Sequence, residues 1–175
     1  RRIVISQGRY PGNLEWNNVN CFTEARRIVV KVGTSTLTYA TGLINIRRLE
    51  LLVKVLSDLK NSGREVVLVT SGAIGVGVGK LGLAEKPADI PSKQAAAAIG
   101  QCELMYLYDR NFSRYNHVTG QLLLTKDIVG DPVRSRNVVN TFERMLEMGA
   151  IPVVNENDTV SYEEIEFGDN DTLSA

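Results

Sequence analysis

One histidine, His117, and two isolated cysteines, Cys21 and Cys102, are all this 175-residue chain offers in imidazole and thiol chemistry. A His-rich metal site, a His pair and a disulfide framework are therefore excluded, and no CxxC is present. Aromatic residues make up only 6%, and no apolar run approaches the roughly 20 residues that a bilayer span requires. Charge of one sign is also missing: 20 Lys and Arg stand against 20 Asp and Glu. That balance argues against a protein that coats nucleic acid and against an acidic disordered tail. The N-terminus lacks the apolar stretch of a secretion signal, and the expected setting is reducing and cytoplasmic.

What is present is the composition of one globular domain, 43% hydrophobic and 23% charged. Residues 1–25 are turn-rich and aperiodic around Gly8–Gly12 and Trp16–Asn20, and read as an N-terminal extension without assigned function. From Arg26 onward strands and helices alternate. Ile28–Val32, Val66–Val69, Gln121–Thr125 and Ala150–Val154 read as strands. Apolar residues at helical spacing follow at 46–59, after Ser71, across about 92–112 and across 138–146. Continuous apolar strands, each followed by a helix, predict a mainly parallel sheet covered on both faces, an α/β three-layer sandwich. The 92–112 helix carries apolar residues on more than one face, which favours burial, with Cys102 as a small buried hydrophobe.

In such sheets ligands bind beyond the carboxyl ends of the strands. The first strand carries Lys31 and ends at Gly33-Thr34-Ser35. A lysine in an apolar strand fits an anion that meets its ammonium, and the small residues would let backbone N–H groups approach phosphate. A strand-edge lysine followed by an ordinary turn explains the same residues. The second strand ends at Thr70-Ser71-Gly72-Ala73, where Ser71 fits either a helix N-cap or a contact to a bound anion. Asn155-Glu156-Asn157-Asp158 is either a polar loop or a cluster able to hold an ammonium group. Gly168-Asp169-Asn170-Asp171 repeats that chemistry and equally suits a helix entry. The Gly77-x-Gly79-x-x-Gly82 match to a dinucleotide fingerprint lies several residues past its strand, so that reading is rejected.

Taken in order, Lys31–Ser35, Val69–Ile74, Ser92-Lys93-Gln94 with Ala97–Gln101, Asn155–Asp158 and Gly168–Asp171 resemble the amino acid kinase family, in its γ-glutamyl kinase branch. The resemblance covers Arg26 to Ala175. It implies ATP-dependent phosphorylation of the γ-carboxylate of L-glutamate, the first step of proline biosynthesis, with Mg²⁺ arriving on ATP and no tightly bound cofactor. Lys31 would contact the transferring phosphoryl group, and Gly33, Thr34 and Ser35 would shape the phosphate side. Ser71, Gly72 and Ala73 would hold glutamate. Asp158 and Asn170 would complete the pocket, with Asn155 supporting it, and Asp171 would orient cationic groups. Family members continue into a nucleotide-binding half, so residues 26–175 are expected to be a truncated domain holding the glutamate-binding half. Feedback inhibition by proline and a homo-oligomer, dimer or tetramer, are further implications. A non-catalytic amino-acid-binding module and a kinase for a different carboxylate acceptor are the alternatives.

Overall fold

The computed structural model describes residues 25–39 and 41–161. Four strands, β1 (Arg27–Val32), β2 (Glu65–Thr70), β3 (Thr119–Leu124) and β4 (Ile151–Glu156), form one sheet in the order β1-β2-β4-β3. Every pairing is parallel. The helices are α1 (Thr34–Leu37), α2 (Ile46–Asn61), α3 (Ala73–Leu81), α4 (Ile90–Ser113) and α5 (Pro132–Glu147), with a 3₁₀ turn at Lys126–Gly130. The predicted alternation of strand and helix is thus observed, as an amino acid kinase-like α/β architecture.

Handedness decides which helix covers which face. The chain steps in one direction from β1 to β2 to β3, then reverses from β3 to β4. Right-handed crossovers therefore put α2, α3 and α4 on one face and α5 on the other. Side-chain alternation in β2 agrees. Val66 and Leu68 join the core with Leu49, Val53, Leu56, Leu104, Tyr108 and Phe112. Val67 and Val69 pack instead with Leu146, Val154 and Phe142. Burial on both faces is why these strands are unbroken apolar runs, and each such side chain contributes about 1.5–3 kcal/mol.

Two glycines set the tightest helix contact. A Cβ on Gly77 of α3 would lie 1.9 Å from the Ala96 carbonyl oxygen, and one on Gly100 of α4 would lie 1.8 Å from that of Ala73. The rejected fingerprint is thereby explained. Gly77 and Gly79 sit within α3, and Gly82 closes it in the left-handed region at φ +65°.

Helix α4 departs from the expectation of burial all round. Its buried residues, including Ala97, Gln101, Leu104, Tyr108 and Phe112, lie on one face, while Tyr106 is 56% exposed. Cys102 is exposed rather than buried, because it turns outward one position after the inward-facing Gln101. Opposite, Arg27 ties β1 to β2 and α5. Its Nε donates to Glu65 at 2.7 Å, and its two Nη atoms donate to both oxygens of Glu143 at 2.6 and 2.8 Å.

Candidate functional site at the carboxyl edge of the sheet

All four strands end at the same edge, and the sequence there is small or polar: Gly33-Thr34-Ser35 after β1, Ser71-Gly72-Ala73 after β2, and Asn157-Asp158 after β4. Register puts Lys31 beside Val69 and Val32 beside Thr70. By alternation Lys31 lies on the α5 face, one row short of the edge, where it is half-buried.

The ends of β1 and β2 are held against each other. The Ser71 hydroxyl donates to the Val32 carbonyl oxygen at 3.1 Å. Gly72 adopts φ +98°, and a Cβ there would lie 3.1 Å from Thr34 Cγ2 and 3.3 Å from Thr34 Cα. Ser71 is therefore not the N-cap of α3. Gly72 takes that position with no side-chain hydrogen bond, and Gly33 does the same for α1.

The other three helices differ. Asn45 caps α2 by accepting from the Arg48 N–H, Asp89 caps α4 through Ser92, and Asp131 caps α5 through Val133 and Arg134. Among the described residues, α1 and α3, which open at the ends of β1 and β2, are thus the α-helices whose first N–H groups no side chain satisfies, as is also true of the 3₁₀ turn after β3. The nine-residue α3 therefore presents open N–H donors and a partial positive end beside the Gly33–Ser35 turn, and such a place favours an anion.

Negative charge lies across the edge. Asp158 borders a small cleft with Ala73, Ala97, Gln101 and Leu123. Burial pushes its carboxyl up to about 6, the charge of Glu156 adds to the rise, and Lys86 opposes it. Among the described residues Lys86 offsets only part of that rise, so the charged form of Asp158 is under-stabilised by its surroundings. An ammonium group entering the cleft would add to that offset.

Strand β4 runs further than expected and takes in Asn155 and Glu156, both fully buried. The side chain of Asn155 faces α4 and is engaged internally. Its Nδ2 donates to Gln101 Oε1 at 2.8 Å, and its Oδ1 accepts from the Glu156 N–H at 2.9 Å. Glu156 accepts from the Ser161 hydroxyl through Oε1, while its Oε2 is buried without a partner among the described residues. The structure therefore brings Gly33, Thr34, Ser71, Gly72 and Ala73 together, and Ala73 shares a small cleft with Asp158. It turns Asn155 inward, and Ser35 is exposed at the rim. Asn170 and Asp171, expected in the pocket and beside the phosphoryl group, lie outside the described residues.

Two residues that sequence reasoning left without a role also belong here. Gln101 both lines the cleft and holds Asn155, and Thr70 shares a buried 2.8 Å hydrogen bond with the Tyr108 hydroxyl. A glutamine in the alanine-rich stretch of α4 was the available signal for the first.

Residues 26–175 match the model of the amino acid kinase family. The chain belongs to the amino acid kinase family. Within it, the chain is 57% identical over 156 residues to a protein of Clostridium perfringens named glutamate 5-kinase, covering 87% of this chain and 58% of that one. A protein of the same name from Listeria monocytogenes is 56% identical over 155 residues, covering 86% and 56%. Another from Enterococcus faecalis is 52% identical over 160 residues, covering 89% and 59%. The chain thus spans less than two thirds of the length of these amino acid kinases.

Proposed function

We propose that residues 26–175 form the glutamate-binding half of a glutamate 5-kinase domain, which transfers the ATP γ-phosphoryl group to the γ-carboxylate of L-glutamate. The observation that carries this reading is the meeting of opposite electrostatics at one sheet edge: the open first amides of α3 after Gly72, and the raised carboxyl of Asp158, which borders a small cleft with Ala73. An amino acid presents the complementary pair, an ammonium at one end and carboxylates at the other.

The chemistry asks little of acid–base groups. A γ-carboxylate is already ionised, so it attacks the γ-phosphorus without a general base, the bond to the bridging oxygen breaks, and ADP leaves. The task is to hold two anions in line and to offset their charge. Lys31 supplies a point charge for the transferring phosphoryl group, and the backbone of Gly33, Thr34 and Ser35 shapes its surroundings. Ser71, Gly72 and Ala73 hold the acceptor carboxylate, Asp158 takes the ammonium, and Asn155 supports the strand end. Asn170 completes the pocket and Asp171 orients the cationic groups. Mg²⁺ enters as part of the ATP complex.

The product is γ-glutamyl phosphate, which leads to proline, and proline is the expected feedback inhibitor. The protein acts in the cytoplasm as a homo-oligomer. In the full-length protein, Lys31→Ala abolishes transfer from ATP to L-glutamate while leaving the far-ultraviolet circular dichroism unchanged. Undiminished turnover by this variant overturns the role given to Lys31. A wild-type protein that phosphorylates N-acetylglutamate or aspartate in preference to glutamate overturns the acceptor.

A further inference from the structure

Gln101 occupies an unusual place in the fold. The residue before it, Gly100, is where α4 touches the first turn of α3, since a Cβ there would sit 1.8 Å from the Ala73 carbonyl oxygen and 2.5 Å from the Gly77 nitrogen. At that closeness the backbone of α4 is packed directly against the Ala73 carbonyl, with no side chain between. From this base the Gln101 side chain, 8% exposed, reaches the sheet. Its Oε1 accepts from Asn155 Nδ2 at 2.8 Å, and its Nε2 donates to Gln121 Oε1 at 3.2 Å. Asn155 passes the constraint on, because its Oδ1 accepts from the N–H of Glu156, two residues before Asp158. A single amide thereby joins the end of β4 to the middle of β3, from a helix whose Gly100 packs on the Ala73 carbonyl that follows β2.

We infer that Gln101 is a positioning residue that fixes the span between the Ser71–Ala73 turn and Asp158, and through it the length of amino acid the cleft accepts. The inference rests on the reading above, in which these two segments hold the acceptor carboxylate and the ammonium. Gln101 itself need touch neither end of the ligand. Its two hydrogen bonds run in one direction, from Asn155 through Gln101 to Gln121. A side chain of the same length without donor or acceptor breaks both while filling the same space.

The test uses Gln101→Met in the full-length protein, assayed for phosphoryl transfer to L-glutamate, L-aspartate and N-acetyl-L-glutamate. The wild-type preference among the three reports on the proposed function alone. The ratio of variant to wild type on the preferred acceptor reports on Gln101. KM for that acceptor rises about tenfold, kcat stays within about threefold, KM for ATP does not move, and discrimination against the shorter or longer acceptor narrows. Asn155→Ala and the double variant complete a cycle in which the second substitution adds less than it costs alone, because both remove the shared Asn155–Gln101 bond. An unchanged KM overturns the inference, as do losses in kcat and KM for ATP matching those for the acceptor, or additive effects in the cycle. Should Asn155→Ala fail to fold, Gln121→Ala replaces it. That variant frees one end of the amide and gives a smaller shift in the same KM.

Discussion

Two glycines in the left-handed region flank α3, and replacing each with alanine isolates the contact on which the anion-binding edge depends. Gly72 opens the helix at φ +98°, and Gly82 closes it at φ +65°. An L-residue in that region costs about 1–2 kcal/mol at either place. The surroundings differ. A Cβ at Gly82 meets nothing within 4 Å, whereas one at Gly72 meets Thr34 Cγ2 at 3.1 Å, Oγ1 at 3.2 Å and Cα at 3.3 Å. The side-chain atoms could turn away, but the Thr34 backbone could not, so α1 must shift from α3 by a few tenths of an ångström. Overpacking of this kind adds about 1–3 kcal/mol. Gly72→Ala is therefore expected to lower stability by roughly 2–5 kcal/mol, and Gly82→Ala by only about 1–2 kcal/mol. Urea unfolding of the two variants beside the wild type, with m-values compared, measures the difference. Because the shift moves one uncapped N-terminus away from the other, Gly72→Ala also loses phosphoryl transfer at temperatures where it is fully folded. Equal stabilities for the two variants, or a folded Gly72→Ala with wild-type activity, would refute the claim that Thr34 and Gly72 form one packed unit.

Asp158 links binding to pH. With its carboxyl near 6 in the folded protein, the group is ionised above that pH and neutral below it. Affinity for L-glutamate, measured by calorimetry, falls roughly tenfold per pH unit once the pH drops below 6. A carboxyl raised from its ordinary 3.8 holds its proton more tightly when folded, so the protein loses stability as pH climbs from about 4 to 6. Asp158→Asn removes that penalty. It should stabilise the protein at pH 7 by roughly 1–2 kcal/mol while weakening glutamate at least tenfold, and a less stable variant would show that Asp158 has a cation partner of its own. Arg27→Met breaks the clamp from β1 to Glu65 and Glu143, which should lower stability by about 1–2 kcal/mol without changing KM. Tyr108→Phe removes the buried hydrogen bond to Thr70 and should cost about 1 kcal/mol in the same unfolding assay.

The parallel sheet was legible because strands buried on both faces must be apolar throughout. Val66–Val69 and Ile151–Val154 carry that signal whatever surrounds them. Strand ends were harder to read. Asn155 and Glu156 look like loop residues, since polarity usually marks the surface, yet hydrogen bonds from a helix 54 residues away in the chain and from the Ser161 hydroxyl draw both into β4. Cys102 misled for the opposite reason. Its residue type favours burial, but the helical position decides, and its neighbour Gln101 has the inward place.

Capping is where the sequence was most ambiguous and the structure most informative. Ser71 sits where a helix cap belongs, and on residue type alone it satisfies the α3 amides and leaves nothing for a ligand. In the fold its hydroxyl is committed to the Val32 carbonyl, and the capping position falls to a glycine that offers no side chain. The same substitution of glycine for a capping residue occurs at α1, on the neighbouring strand. At α2, α4 and α5 the chain uses Asn or Asp, each worth roughly a few tenths of a kcal/mol more than glycine. Forgoing that side chain twice, at adjacent strand ends held in contact through Thr34 and Gly72, fits the anion site proposed above. Restoring a cap should expose the trade. Gly33→Asp supplies a carboxylate to the α1 amides and is expected to stabilise the fold by up to about 1 kcal/mol while abolishing phosphoryl transfer, because it fills the anion's place with a fixed negative charge. Thermal melting and a coupled ADP-release assay read the two effects separately. A variant that is both more stable and fully active would mean that the open amides of α1 take no part in binding.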